Sequence, residues 1–366
     1  MRILIPIVEY AFYPMNHRHP ARRRTSSSTS QRLNSRSGGA SEFPPAFGLT
    51  AESTRDTAGS PETGSGNRKR DASPAEIPDH HIFMEYVAHH LNYNPSAIFE
   101  PKHAEVIQNA GYDPGKTLLR RGEKGFLGIV MMPSEGRSDL LPIFSIRGTV
   151  PGLGNENRGT LSTDFDLAQV GDSQYKRNLD LIKEMINEAG GRVNITGHSL
   201  GGAMAQIITA NHIYNIAELV SFQAPGVSFG TRELFEESDA APKPEVTHHI
   251  SNNDIVDDAG RGHLPGSTYE HHLRSFINPL SSHSAFVFGT DAFEERRNQI
   301  GLTDGLMEQM DRKIYKGDPG ITHYDEHPTD LRRVVAEGGR TVGSILSLPL
   351  RIIGDFLRMK VDENSR

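Results

Sequence analysis

The sequence predicts an α/β fold in which a mixed, mostly parallel sheet is covered by helices. From about residue 125, segments with the length and apolar character of strands alternate with segments of helical periodicity. Cysteine is absent, so a disulfide framework and thiolate metal sites are excluded and the core must hold the fold. No apolar run approaches the roughly 18 residues that span a bilayer.

Three segments are predicted along the 366 residues. Hydrophobic residues make up 36% of the chain, which is low for a fully globular protein. Residues 1–75 are rich in Ser, Arg, Gly and Pro, and are predicted to form a disordered basic leader. The α/β domain is predicted over residues 76–300, and residues 301–366 are predicted to form an irregular segment and an amphipathic C-terminal helix.

The basic leader raises the question of a charged partner. The whole chain carries a net charge of −7, yet its first 70 residues contain 11 basic and 5 acidic groups. No aromatic residues are interleaved with the arginines, so no nucleic-acid partner is expected. Pro6 and Glu9 interrupt the first apolar run, so no Sec signal is predicted. A cytoplasmic location and export by a non-Sec route are both left open.

The first half of the domain begins with helices. Helical spacing of Ile82, Tyr86 and His89 predicts a helix over residues 79–93, and a second helical segment ends at Gly111. Apolar runs at 125–132 and 140–149 predict a β-hairpin, and residues 173–190 predict an amphipathic helix. The remaining predictions are a strand in "RVNITGHS", a helix in "LGGAMAQIITANHI", and strands in "ELVSFQAPG" and "EVTHHISNNDIV".

The stretch "NITGHSLGGAMAQ" places Ser199 in a sharp turn between a strand and a helix. Such a turn exposes a serine hydroxyl to a base. It requires very small residues two positions before and two positions after the serine, and these are Gly197 and Gly201, with His198 and Leu200 between them and Ser199. The Leu200 N–H at the helix start is the expected first donor to an oxyanion. The alternative is a buried glycine turn with a bystander serine.

The other parts of a catalytic site are sought on later strand ends. In "FSIRGT", Thr149 is the candidate second oxyanion donor, with an ordinary turn as the alternative. Asp254 is the favoured acid because it directly follows a strand, and Asp257 is the second choice. A histidine after the acid completes the chain order Ser, acid, His. His283 in "SSHSAFVF" is favoured, and the alternatives are His263, His271 and His272.

These motifs resemble the class 3 (fungal-type) lipase family of α/β-hydrolases, in character closest to bacterial lipase-domain proteins. The similar segments, in family order, are "FSIRGT", "ITGHSLGGAMA", "SFQAPG", "NNDIV" and "HSAF". The resemblance implies that Ser199 is the nucleophile, that His283 acts as base and acid, and that Asp254 orients it. It also implies oxyanion donors at Thr149 and Leu200 and a lid near residues 151–163. Phe165 stands where the family often has tryptophan.

The function predicted from these residues is hydrolysis of a lipid ester or phospholipid by a lipase-like or phospholipase A-like serine enzyme. No metal or other cofactor is required by this chemistry. The alternative is a catalytically idle hydrolase fold that acts as a binding or delivery module. The C-terminal helix is expected to pack on the domain, and adhesion to a membrane surface is its alternative. The sequence gives no indication of oligomeric state.

Two further motifs are interpreted as coincidences. "AGYDPGKT" at 110–117 matches a loose phosphate-loop pattern, but no buried strand is predicted before it and no helix after it. "HYDEH" at 323–327 matches a zinc-protease pattern that requires one helix. Nearby Pro319, Gly320 and Pro328 disfavour that helix, and an exposed polar loop is expected.

Overall fold

The computed structural model describes residues 69–148, 171–252, 254, 256–257, 259–273, 282–317 and 320–328. Several predicted features lie outside these residues: the leader up to residue 68, the oxyanion candidate Thr149, the lid segment 151–163 and the C-terminal helix. The described part of the chain contains no helix that is both long and apolar enough to cross a membrane.

The described residues form a sheet of nine strands in the order β1-β9-β8-β7-β6-β5-β4-β3-β2. The five strands β4 to β8 run parallel to one another. Antiparallel strands flank them on both sides, so the predicted mixed sheet is confirmed. The strands are β1 (Lys69–Ala72), β2 (Tyr112–Arg121), β3 (Leu127–Pro133), β4 (Ile143–Ile146), β5 (Val193–His198), β6 (Ile216–Phe222), β7 (Glu245–Ser251), β8 (Ser267–His271) and β9 (Ile321–Tyr324).

Helices cover both faces of the sheet. Side chains alternate along a strand, so Val220 and Phe222 of β6 join one apolar core while Leu219 joins the other. The α-helices are α1 (Asp79–Tyr86), α2 (Pro101–Asn109), α3 (Asp172–Arg177), α4 (Leu179–Glu188), α5 (Leu200–Asn211), α6 (Phe229–Glu236), α7 (Glu294–Gln299) and α8 (Asp304–Gln309). Helix α1 contributes to the first core, and α4 and α5 contribute to the second.

The predicted hairpin is present, because β3 and β4 are antiparallel neighbours. The helix predicted at 173–190 is divided into α3 and α4 at Asn178, whose backbone leaves the helical region. The Asn178 amide explains the break, since it accepts the Glu123 N–H (2.7 Å) and donates to the Gln174 carbonyl (2.7 Å). Side chains that bond the backbone in this way compete with helical hydrogen bonds.

Three strands correct the sequence interpretation. Strand β1 lies at 69–72, inside the segment predicted as disordered leader, because it pairs with β9 along four residues. Strand β9 includes the first two residues of "HYDEH", which was expected to be an exposed loop, and His323 and His327 are buried. Strand β2 contains most of "AGYDPGKT". The partners of β1 and β9 are distant in sequence, so local pattern does not report these two strands, whereas β2 pairs with the adjacent β3.

Buried histidines distinguish this core, and three of them lie around α1 and β5. Burial lowers the pKa of His90 to about 3, and holds the pKa values of His89 and His198 well below their ordinary value. These side chains therefore stay neutral in the folded protein at pH values where an unfolded chain binds protons. Stability is fully present above the unfolded pKa of about 6.5 and is lost as the pH falls below it.

Acid is therefore expected to destabilise the protein steeply. Each neutral histidine lowers the free energy of unfolding by about 1.4 kcal/mol per pH unit below roughly pH 6. The three together therefore lower it by up to about 4 kcal/mol per pH unit. His90→Phe should reduce this pH dependence by the contribution of one histidine. The variant should keep its packing, because Phe retains the stacking on Tyr86 and His103. Denaturant unfolding at pH 7.5, 6 and 5 measures the slope, and an identical slope in the variant would contradict this explanation.

Candidate active site

Ser199 lies in the turn between β5 and α5, with φ 58° and ψ −132°. A non-glycine residue rarely adopts this left-handed conformation, and such strain is concentrated at functional sites. A Cβ atom on Gly197 would lie 2.3 Å from the Gly201 carbonyl group, and one on Gly201 would lie 2.2 Å from the Ile146 oxygen. Both positions therefore require glycine, which explains the tight turn that carries Ser199.

The side chains of Ser199, His283 and Asp254 form a continuous hydrogen-bonded chain. His283 Nε2 lies 2.9 Å from Ser199 Oγ, and His283 Nδ1 lies 3.1 Å from Asp254 Oδ2. The Asp254 side chain is fully buried, and its second oxygen accepts the Val256 N–H (2.9 Å). A carboxylate at Nδ1 keeps the proton on that nitrogen and directs the Nε2 lone pair at the serine hydroxyl.

The alternative candidates lie elsewhere. Asp257 Oδ1 is 2.9 Å from His327 Nε2, and His272 Nε2 is 2.7 Å from the Thr322 hydroxyl. His263 Nε2 is 3.0 Å from the Ala224 carbonyl oxygen, and His271 Nε2 is 3.1 Å from His249 Nδ1. The structure thus brings Asp254 and His283 to Ser199, and it gives the other candidates different partners.

The start of α5 lies directly beside the serine. Leu200 is the first residue of this helix, and the first four backbone amides of a helix have no acceptor within it. The positive end of the helix dipole adds to their attraction for negative charge. Ile146, at the end of β4, pairs with Gly197 and so borders the same turn. Thr149, three residues further, lies outside the described residues.

His198 holds the backbone of His283 in place. Its Nε2–H donates to the His283 carbonyl oxygen (2.9 Å), and its Nδ1 lies 3.4 Å from the Tyr93 hydroxyl. Burial holds the pKa of His198 well below its ordinary value, and the neighbouring His283 adds to this effect. A neutral ring has one donor and one acceptor, which matches these two contacts. His198 therefore acts as a positioning residue as well as part of the turn.

Other side chains anchor the backbone on both sides of His283. Gln223 donates to the Ala285 carbonyl (2.9 Å), and Ser251 donates to the Ser282 carbonyl (2.8 Å). Glu85 accepts the N–H groups of Val287 (2.6 Å) and Phe288 (3.0 Å). Sequence reasoning missed these anchors. The one available signal is Glu85, a charged residue of α1 at helical spacing from the buried residues Ile82 and His89.

Glu85→Gln tests whether this anchor positions His283. Burial raises the pKa of Glu85 to about 8, and the two backbone donors limit that rise. Above pH 8, where the ionised Glu85 accepts both N–H groups, glutamine differs in having a single acceptor oxygen, and its NH2 group would face one backbone N–H. We expect the free energy of unfolding to fall by about 1–3 kcal/mol and kcat to fall roughly tenfold with little change in KM. The exposed Glu105→Gln is the matched control, and equal kcat in both variants would contradict a positioning role.

Part of the chain matches a known protein family. Residues 160–259 match the family model described as Lipase (class 3). This segment is similar to the class 3 lipase family. The match includes Ser199 and Asp254, whereas His283 lies beyond it. The resemblance predicted from the motifs is confirmed, and the family match supports a hydrolase that acts on carboxylic esters of lipids.

Solved lipases are also similar to this chain. A lipase from Rhizopus microsporus var. chinensis is 12% identical, and the match covers 57% of this chain and 80% of that one with a TM-score of 0.38. Lipase II from Rhizopus niveus is 15% identical, and the match covers 56% of this chain and 83% of that one with a TM-score of 0.40. No curated protein sequence matches the chain.

Proposed function

We propose that the protein cleaves lipid carboxylic esters through an acyl-enzyme intermediate on Ser199. The observation that carries this proposal is the chain of contacts from Ser199 Oγ through His283 to the buried Asp254, with separations of 2.9 and 3.1 Å. These distances lie within hydrogen-bond reach, as a nucleophile, its base and the orienting acid require. Ser199 also has the strained backbone and the position at a helix start that are expected of a nucleophile in such a turn.

In the first half-reaction, Ser199 Oγ attacks the ester carbonyl carbon while its proton passes to His283 Nε2. Asp254 stabilises the imidazolium that forms, and its burial strengthens that interaction. The Leu200 N–H is the proposed donor to the tetrahedral oxyanion, together with Thr149. The bond to the alcohol oxygen then breaks, His283 Nε2–H protonates that oxygen, and the alcohol leaves an acylated serine.

In the second half-reaction, water replaces the alcohol. His283 removes a proton from the water as its oxygen attacks the acyl carbon. When the tetrahedral intermediate collapses, the bond to Ser199 Oγ breaks and His283 returns the proton to the serine. The products are the free enzyme and a carboxylic acid, which then loses its proton to water. The same imidazole thus serves as base and acid in each half-reaction, which is why the backbone contacts of His283 matter.

The proposed substrates are long-chain esters, with phospholipase A-like cleavage of a glycerophospholipid as the finer proposal. The wild type is to be assayed on p-nitrophenyl butyrate, trioleoylglycerol emulsions and phosphatidylcholine vesicles, with Ser199→Ala as the blank. Hydrolysis by the wild type above the blank is the expected result. Release of fatty acid from the vesicles supports the phospholipase proposal, whereas cleavage of the other esters alone excludes it. No hydrolysis of any ester by the folded wild type would favour an idle binding module.

A further inference from the structure

A second cluster of chemically reactive side chains lies where α1 begins. It is at the amino-terminal ends of the parallel strands, whereas Ser199 lies at their carboxyl-terminal ends. We propose that His80, His81 and Glu218 bind a divalent transition-metal ion of the zinc class. The Ser199 N–H donates to the carbonyl of Phe222, at the carboxyl end of β6. Glu218 lies four residues earlier on that strand, about 13 Å away at 3.3 Å per residue. The proposed ion is therefore structural and does not touch the substrate.

The three side chains converge on one point. His80 Nε2 lies 2.8 Å from Glu218 Oε2, and His81 Nε2 lies 2.9 Å from Glu218 Oε1. All three ligand atoms lie within 4.8 Å of one another. Nitrogen and oxygen ligands lie about 2.0–2.2 Å from zinc, so two ligands of one tetrahedral ion are separated by roughly 3.3–3.6 Å. The nitrogen–oxygen separations must therefore widen by roughly half an ångström or slightly more to admit an ion.

The ligand set and its exposure fit an ion that enters from solvent. Two imidazoles and a carboxylate are donors that zinc and neighbouring transition metals accept, and three protein ligands leave one position for water. The His80 side chain is 41% exposed, whereas those of His81 and Glu218 are 2% and 10% exposed. His80 can therefore adjust while the other two ligands are held. The exposed Glu245 is the register partner of Glu218 on β7, which adds negative charge to the same face.

A chain of histidines behind His81 supports this assignment. His81 Nδ1 lies 3.0 Å from His249 Nε2, and His249 Nδ1 lies 3.1 Å from His271 Nε2. If His81 Nε2 binds metal, its proton resides on Nδ1 and is donated to His249, which in turn donates to His271. Metal-binding histidines almost always donate their second N–H to such a partner, which fixes the orientation of the ring. The chain thus supplies the outer contact that a metal site requires.

Another group, Asp257, His263 and His327, also brings potential ligand atoms together. Its geometry is less suitable, because the His263 and His327 rings stack with centroids 3.5 Å apart and an interplanar angle of 11°. An ion in the plane of one ring would lie well out of the plane of the other. In addition, His263 Nε2 already lies 3.0 Å from the Ala224 carbonyl oxygen. This group therefore serves as the comparison site in the test.

The test is direct binding of Zn²⁺ to the full chain after treatment with a chelator. Equilibrium dialysis should give one ion per wild-type chain, and substitution with Co²⁺ should give visible absorption bands of a site with nitrogen and oxygen ligands. His80→Gln and Glu218→Gln should each weaken Zn²⁺ binding at least tenfold. Because His80 is exposed, His80→Gln is expected to fold, and circular dichroism checks this. His327→Gln should bind Zn²⁺ as the wild type does.

Thermal unfolding provides a second measurement, because a ligand that binds only the folded state raises the unfolding temperature. Zn²⁺ should raise that temperature in the wild type and in His327→Gln, but not in folded His80→Gln. Unchanged Zn²⁺ affinity in both His80→Gln and Glu218→Gln would overturn the proposal, as would loss of the ion in His327→Gln alone. Failure of the wild type to bind Zn²⁺ below millimolar concentrations would show that His80, His81 and Glu218 form only an ion pair.

Discussion

Ser199→Ala is expected to lower kcat/KM for ester hydrolysis by on the order of 10⁴-fold to 10⁶-fold. The substitution removes the attacking oxygen, and water bound nearby cannot reproduce the acyl-enzyme route. A residual rate above that of uncatalysed hydrolysis is expected, since the amides at the start of α5 remain. Initial rates on p-nitrophenyl butyrate at equal concentrations of folded protein give the comparison. The exposed Ser96→Ala controls for loss of a serine without loss of the site.

The variant should also remain folded. Ser199 Oγ contacts His283 Nε2, and the turn depends on Gly197 and Gly201, which are unchanged. We expect the unfolding free energy of Ser199→Ala to lie within about 1 kcal/mol of the wild type. Activity within tenfold of the wild type would exclude Ser199 as the nucleophile. Loss of activity together with unfolding would leave the covalent labelling described below as the decisive observation.

Asp254→Asn is expected to lower kcat by about 10⁴-fold, the effect seen when an orienting carboxylate becomes an amide in a serine hydrolase. Asparagine can still accept the Val256 N–H, so the loop can retain its fold. Its NH2 group, however, favours a lone pair on His283 Nδ1 and places the proton on Nε2, where it faces Ser199. The histidine then cannot accept the serine proton. KM should change little, because Asp254 is buried and does not reach the substrate.

Asp257→Asn is the matched comparison within the same loop. Asp257 is also buried, but its carboxylate lies against His327 instead of His283. Its effect on kcat per folded molecule should therefore be far smaller than that of Asp254→Asn. A larger loss of kcat in Asp257→Asn would assign the orienting role to Asp257, the second choice from sequence. Comparable losses in both variants would show that the loop as a whole, and not the Asp254 contact, controls the rate.

Local sequence carries much of the information about this site. The turn around Ser199 could be predicted because its glycines are adjacent to the serine in the chain, and Asp254 because it directly follows a strand. His283 could be ranked first because an apolar segment follows it. In each case the feature that positions the residue is encoded within a few neighbouring residues.

The supporting contacts could not be predicted in this way. Glu85 lies about 200 positions before the backbone amides that it accepts, and Gln223 lies about 60 positions before the carbonyl that it reaches. Strand β1 likewise forms because distant β9 offers an edge. Such contacts depend on how the sheet brings remote segments together. A single charged residue on a buried helix face, as at Glu85, indicates that a partner exists but does not name it.

Covalent labelling of Ser199 tests the central claim most directly. A p-nitrophenyl alkylphosphonate loses p-nitrophenolate when an activated serine attacks its phosphorus, and it leaves a stable ester that mimics the tetrahedral intermediate. Peptide mass spectrometry of the labelled wild type should place one adduct per chain on Ser199. Ser199→Ala should acquire no adduct, and Asp254→Asn should react far more slowly than the wild type. An adduct on another residue, or equal labelling of Ser199→Ala, would contradict the assignment of Ser199 as the nucleophile.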